Sequence, residues 1–304
     1  MELLNSVIMT VLRMATPILL AGLGLVVSER AGILNIGTEG VMLTGALFGA
    51  IGSWAGKSIW IGVLCAVVGS VAVNLIIAFF SITLKADQTV VGTAINILAG
   101  GLTVTVNRSV FGIGTDNADI PLFQKIEIPV IKNIPIIGAI FSNQTILVYI
   151  ALISVPIVSA VLYKTNVGLK IRSVGENPRA CDTLGISVDR VRYSTMFFSG
   201  IMSGLAGIYI SLSQMSSFTE GMVAGRGFIA VAAVVFGNYT PRGVFIAALV
   251  FGMADSLKYR MQASSYHVPY QFWLMVPYII TIFALCLYRK NSNKPACSAK
   301  PYIR

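Results

Sequence analysis

The 304 residues are 56% hydrophobic and only 11% charged, with a mean hydropathy of +0.81. Soluble domains carry about 25% charged residues, so the composition excludes a soluble globular domain and points to one polytopic membrane domain over residues 1–304. The formal net charge of +10 sits in loops and tail, where membrane orientation accounts for it, and nucleic acid is not an implied partner.

Apolar runs predict spans at residues 7–27, 33–54, 58–80, 89–107, 145–163, 194–213, 227–237, 243–257 and 271–288. The expected fold is therefore all-α, with about nine transmembrane helices and a range of about eight to ten. The run from Val7 to Val27 is longer than a signal-peptide core and no clear small-residue cleavage site follows it, so it is expected to remain as a span. The runs 227–237 and 243–257 are short for a bilayer and read as half-helices or tilted pieces broken at Asn238-Tyr-Thr-Pro241. With residues 164–193 inside, the predicted inner segments hold twice as many Lys and Arg as the outer ones. The tail, with Arg289, Lys290, Lys294, Lys300 and Arg304 and no acid, is then cytoplasmic.

Residues 28–45 place Ser28-Glu29-Arg30 after the first span and Asn35, Gly37, Thr38, Glu39 and Gly40 in the first turns of the next. An acid near the bilayer centre costs about 2.5–3.5 kcal/mol, so Glu39 should face protein or water. It either caps its own helix, where the dipole favours a negative charge, or forms a polar wall of a solute path. Gly45 with Gly49, and Gly200 with Gly204, have the small-x-x-x-small spacing that lets helices approach closely in lipid. Asn74 stands in the third span, and Thr89, Thr93, Asn96 and Thr103 share one face of the fourth. Such a stripe either bonds neighbouring helices or lines a wet cavity. Residues 108–144 form the largest predicted external segment, broken by Pro121, Pro129 and Pro135.

The strongly charged stretch Lys164 to Arg192 cannot lie in lipid. Within it, Gly175-Glu176-Asn177-Pro178 reads as a turn feeding a helix of about two turns, with Asn177 as N-cap, Pro178 at the first position and Gly185 as the stop. A short amphipathic helix on the inner face suits a soluble partner. Further on, Gly225-Arg226-Gly227 lacks the Gly-Lys-Ser/Thr ending of a phosphate loop, and no Walker motif occurs in the chain. The cysteines Cys65, Cys181, Cys286 and Cys297 have no metal-ligand spacing, and His267 is the only histidine, so neither a metal site nor His-based catalysis is expected.

Three patches carry a resemblance. Leu34-Asn-Ile-Gly-Thr-Glu-Gly40, Arg172-Ser-Val-Gly-Glu-Asn-Pro-Arg-Ala180 with Gly185-Ile186, and Gly225-Arg-Gly-Phe-Ile-Ala230 followed by Gly237-Asn-Tyr-Thr-Pro-Arg-Gly243 occur in the order found in permease subunits of ATP-driven (ABC) importers. The chain resembles the nucleoside and simple-sugar type within the branched-chain amino acid and ribose permease superfamily. That resemblance implies a type II importer-like permease bundle in a bacterial cytoplasmic (inner) membrane. It also implies a separate ATPase that uses ATP and Mg, with no cofactor on this chain, a second homologous permease completing a heterodimer, and an extracytoplasmic substrate-binding lipoprotein. The ATPase would be engaged by Gly175, Glu176, Asn177, Pro178, Arg179, Ala180 and Gly185. Asn35, Glu39, Asn74 and Asn96 are read as lining the path, for a nucleoside; ribose, galactose or riboflavin are alternatives. An ion-coupled secondary transporter is the alternative of another class, but its relay candidates are only Arg13, Glu39 and Asp255.

Overall fold

A computed structural model describes residues 2–112, 120–126, 143–215, 217–263, 275, 279 and 293–303. The helices are α1 (Glu2–Arg30), α2 (Thr38–Gly56), α3 (Ile59–Ala78), α4 (Gln88–Phe111), α5 (Ile146–Lys164), α6 (Asn166–Glu176), α7 (Pro178–Thr183), α8 (Val188–Tyr209), α9 (Arg226–Phe236) and α10 (Pro241–Ala263). Single π-helical turns, Phe79–Thr83 and Ile210–Gln214, extend α3 and α8. Among the described residues, five helical stretches are long and apolar enough to cross a membrane: Asn5–Arg30, Ile59–Thr83, Gln88–Phe111, Ile146–Lys164 and Val188–Gln214. Each span predicted up to residue 257 overlaps a helix, whereas 271–288 lies outside the described residues apart from 275 and 279.

α1 and the α8 stretch form the centre, with 78% of their apolar windows buried, against 28% for α4 and α5. The core therefore surrounds α1 and α8, while α3, α4 and α5 present large apolar side chains such as Trp60, Leu64, Ile97 and Ile153 outward, as a lipid-facing surface does. Close approach in the centre depends on missing side chains. A Cβ at Gly45 on α2 would lie 2.9 Å from the Cα of Gly204 on α8, and one at Gly204 would lie 3.0 Å from Ala66 O on α3. Gly49 meets Ile208 at 2.8 Å and Gly200 meets the Val71 Cα at 3.0 Å. The pairs predicted along one helix thus work between helices, joining α2, α3 and α8.

The segment predicted to be external begins against the bundle. Ser53 Oγ donates to Pro121 O at 3.0 Å, Phe123 N–H donates to Leu212 O at 3.1 Å, and Lys125–Ile126 pairs antiparallel with Gln144–Thr145. Pro129 and Pro135 lie outside the described residues.

Candidate functional site

The predicted second span does not begin at residue 33, because residues 31–37 are a non-helical link between α1 and α2. Side-chain amides take over the hydrogen bonds that a helix would have made, as a buried polar backbone requires. Leu34 N–H donates to Gln88 Oε1 at 2.8 Å, and Gly40 N–H donates to Asn96 Oδ1 at 2.8 Å. Asn96 Nδ2 in turn donates to Ile36 O at 3.0 Å. Asn35 Nδ2 donates to Asn74 Oδ1 at 2.7 Å, and Asn74 donates onward to Met196 O. Asn35 and Asn74 are 0% exposed, so in this conformation they brace the link from behind, while Asn96 and Glu39 are part-exposed. Of the stripe on α4, Asn96 bonds across to the link, whereas Thr93 and Thr103 donate to carbonyls of their own helix.

Glu39 does not cap its own helix; the N-cap of α2 is Gly37, with no side-chain cap hydrogen bond. Its carboxylate accepts from Gly225 N–H at 2.8 Å through Oε1 and from Gly227 N–H at 2.7 Å through Oε2. It thus caps α9, whose first N–H groups have no helical partner. α9 has 11 residues and rises about 16 Å, half a bilayer. Its far end, the turn at Asn238 and Tyr239, is held by Arg30 Nε donating to Tyr239 O at 2.8 Å. The half-helix therefore points its positive end away from the end of α1, and the Glu39 carboxylate meets it there. Gly227 has to be glycine: a Cβ there would lie 2.6 Å from the backbone of Glu39.

The charged stretch folds as α6, a break at Asn177, and α7. Asn177 caps α7 by accepting from Ala180 N–H at 3.1 Å, and Pro178 is its first residue. Gly185 follows with φ +80°, the left-handed backbone that glycine accommodates. Pro178 and Cys181 are buried, with Cys181 packed against Val174 and Val188, and Glu176, Arg179 and Ala180 are exposed. Burial raises the pKa of the Cys181 thiol above its ordinary value. Gly175 is pressed onto the end of α1: a Cβ would lie 2.1 Å from Arg30 O. The segment that carries α7 thus touches the start of the link that carries Asn35 and leads into Glu39 on α2.

The groups that would relay ions are otherwise engaged. Arg13 donates to Gln144 Oε1 at 3.3 Å and Asn143 O at 2.9 Å, and Asp255 pairs with Lys258 at 3.5 Å. Sequence reasoning missed Gln88 as a brace and Gly225 and Gly227 as the partners of Glu39. It also missed Arg192, 1% exposed, which donates to Ala31 O at 3.3 Å. For Gln88 the signal was present, a side-chain amide at the first position of a span.

The family described as branched-chain amino acid transport system / permease component matches residues 7–285. The guanosine ABC transporter permease protein NupQ of Bacillus subtilis (strain 168) is 38% identical over 313 residues, covering 100% of this chain and 98% of that one. The nucleoside ABC transporter permease protein NupC of Lactococcus lactis subsp. cremoris (strain MG1363) is 32% identical, over 99% and 98%. A Haloferax volcanii protein assigned as a glucose ABC transporter permease, TsgC13, is 38% identical over 83% of this chain and 76% of its own. In fold, the chain is similar to an ABC transporter assigned to the metal-chelate type and solved in an inward-facing conformation. The TM-score is 0.52 at 15% identity, over 93% of this chain and 85% of that one.

Proposed function

The chain belongs to the permease component family of branched-chain amino acid transport systems, a multi-pass membrane family without ATPase activity of its own, and we propose that it carries nucleosides inward as one membrane subunit of an ATP-driven importer. The observation that carries this reading is the joint formed where Glu39 caps the half-helix α9 beside Asn96. A half-helix N-terminus within the bilayer beside part-exposed carbonyl and amide groups suits a neutral solute rich in hydrogen-bonding groups. Ribose hydroxyls and base edges fit that chemistry. The naming of two relatives for guanosine and nucleoside transport supports the choice over a sugar.

In this reading the path runs past Glu39 and Asn96, with Asn35 and Asn74 holding the link behind them. Helix α7 is the docking element for a separate ATPase, which binds ATP and Mg, while this chain holds no cofactor. One chain offers one such helix, and two ATPase sites need two, which a second, homologous permease supplies. An extracytoplasmic binding lipoprotein delivers the solute. Residues 296–302 pack against α6 and α7, so in this reading the C-terminal tail shares the cytoplasmic side with the docking helix. The test is uptake of labelled guanosine or uridine by cells producing the chain with its partners. Unlabelled nucleosides compete, and ribose, galactose, glucose and riboflavin do not. Competition by a sugar or by riboflavin alone replaces the nucleoside assignment.

A further inference from the structure

Residues 293–303 lie across the seam between the α6–α7 segment and the α1–α2 link. The backbone of this short stretch touches both sides: Cys297 N–H donates to Gly175 O at 3.0 Å, and Ala299 N–H donates to Gly32 O at 3.2 Å. Ala296 N–H donates to the Glu176 carboxylate at 3.3 Å, and the Cys297 thiol donates to Glu176 O at 3.4 Å. The Tyr302 hydroxyl donates to Asp182 Oδ2 in α7 at 3.0 Å, and its ring packs on the cluster of Val174, Cys181 and Val188. From the bundle side, buried Arg192 reaches both Ala31 O at 3.3 Å and Lys300 O at 3.5 Å. The stretch is anchored at its start, where Asn293 N–H donates to Asn238 Oδ1 at 2.7 Å in the turn after α9.

A helix of six residues is too short to hold itself, because nucleation outweighs what so few residues return. What holds α7 is therefore what packs on it: Cys181 is buried against Val174 and Val188, and the tail adds Tyr302 at the Asp182 end. We propose that residues 293–303 form a strap that makes α7 and the α1–α2 link move as one body, so that displacement of α7 reaches Asn35 and Glu39 through the tail and Arg192. The proposal rests on α7 being the ATPase docking helix. Tyr302, Glu176 and Arg192 are positioning residues, since they act on the solute joint only through α7 and the link. A packed junction of this kind transmits a shift because it has few intermediate arrangements.

The test uses the complex with its ATPase in proteoliposomes. Two quantities are read: solute moved per ATP hydrolysed, and amide hydrogen exchange at residues 31–40 and 178–183 with and without ATP plus vanadate. Deleting residues 293–304, and separately Tyr302→Phe, should leave ATPase co-purification and protection of 178–183 intact. Solute per ATP should fall by about fivefold or more in the deletion, the low end of a measurable coupling, and the nucleotide-dependent change at 31–40 should disappear. Where the deleted chain does not insert, Tyr302→Phe decides by the same two readouts, with a fall of about twofold expected. An unchanged ratio with 178–183 still protected overturns the strap alone. Loss of ATPase co-purification on deletion overturns it in favour of the tail as a docking element. Absence of protection at 178–183 in the unmodified complex removes α7 as the docking helix, and the strap with it.

Discussion

Replacing Glu39 by Gln takes a negative charge away from the N-terminus of α9 while keeping the shape of the side chain. The native carboxylate accepts at 2.8 Å and 2.7 Å from Gly225 and Gly227. At about 1.5–3 kcal/mol for each bond to a charged group, the pair contributes about 3–6 kcal/mol. The opposing effect is that a carboxylate inside the bilayer costs about 2.5–3.5 kcal/mol, which the amide relieves. Gln can still accept one of the two bonds, but its NH2 then faces the other N–H. The net loss is about 1–3 kcal/mol, equivalent to a melting decrease of about 2–5 °C for a chain of 304 residues. Glu39→Ala leaves both N–H groups without a partner and should be worse, so the expected order of stability is Glu, Gln, Ala. Thermal melting of the purified protein in detergent, with hydrogen exchange at 225–236, reads both the size and the place of the effect. A Gln variant as stable as the parent, with unchanged exchange at 225–236, would refute the assignment of Glu39 as the cap of α9.

Ala180 is exposed on α7, so Ala180→Trp should leave the chain inserted but reduce solute moved per ATP by about tenfold, a coupling loss of about 1.4 kcal/mol; normal stimulated hydrolysis and transport would remove α7 from the docking role. Gly204→Val pushes side-chain atoms into Ser70 and Ala66 O and should destabilise the α2–α3–α8 centre by about 1–3 kcal/mol, read as lower melting and lower yield; an unaltered melting curve would show that the helices can separate without cost. Burial raises the Cys181 thiol pKa, so at neutral pH less thiolate is present and maleimide labelling should be slower in the folded protein than in dodecyl sulfate. Labelling should speed up as pH rises, and equal rates in the folded and denatured protein would contradict the packing of Cys181 under α7.

Much of this arrangement is legible in the sequence because it depends on near neighbours. The caps of α7 follow from Asn177, Pro178 and Gly185, three residue types whose backbone chemistry is local. The break between α9 and α10 follows likewise from Asn238 to Pro241. What depends on distant residues is not legible. The choice for Glu39 between its own helix and a solute wall omitted a third answer, a helix N-terminus 186 residues away, which no periodicity encodes. The same holds for Asn35 with Asn74 and for the tail against Gly175 and Gly32. The start of the second span was misplaced by a few residues because hydropathy counts Ile33, Leu34 and Ile36 as span. It cannot see that Gln88 and Asn96 satisfy their backbone outside a helix.

The most direct measurement of the central claim is uptake by proteoliposomes holding this chain with its ATPase and second permease, supplied with binding protein and labelled guanosine outside and ATP with Mg inside. Accumulation that requires hydrolysable ATP, stops with vanadate and is indifferent to proton or sodium gradients is the predicted result. Accumulation driven by an ion gradient in the absence of ATP would contradict it.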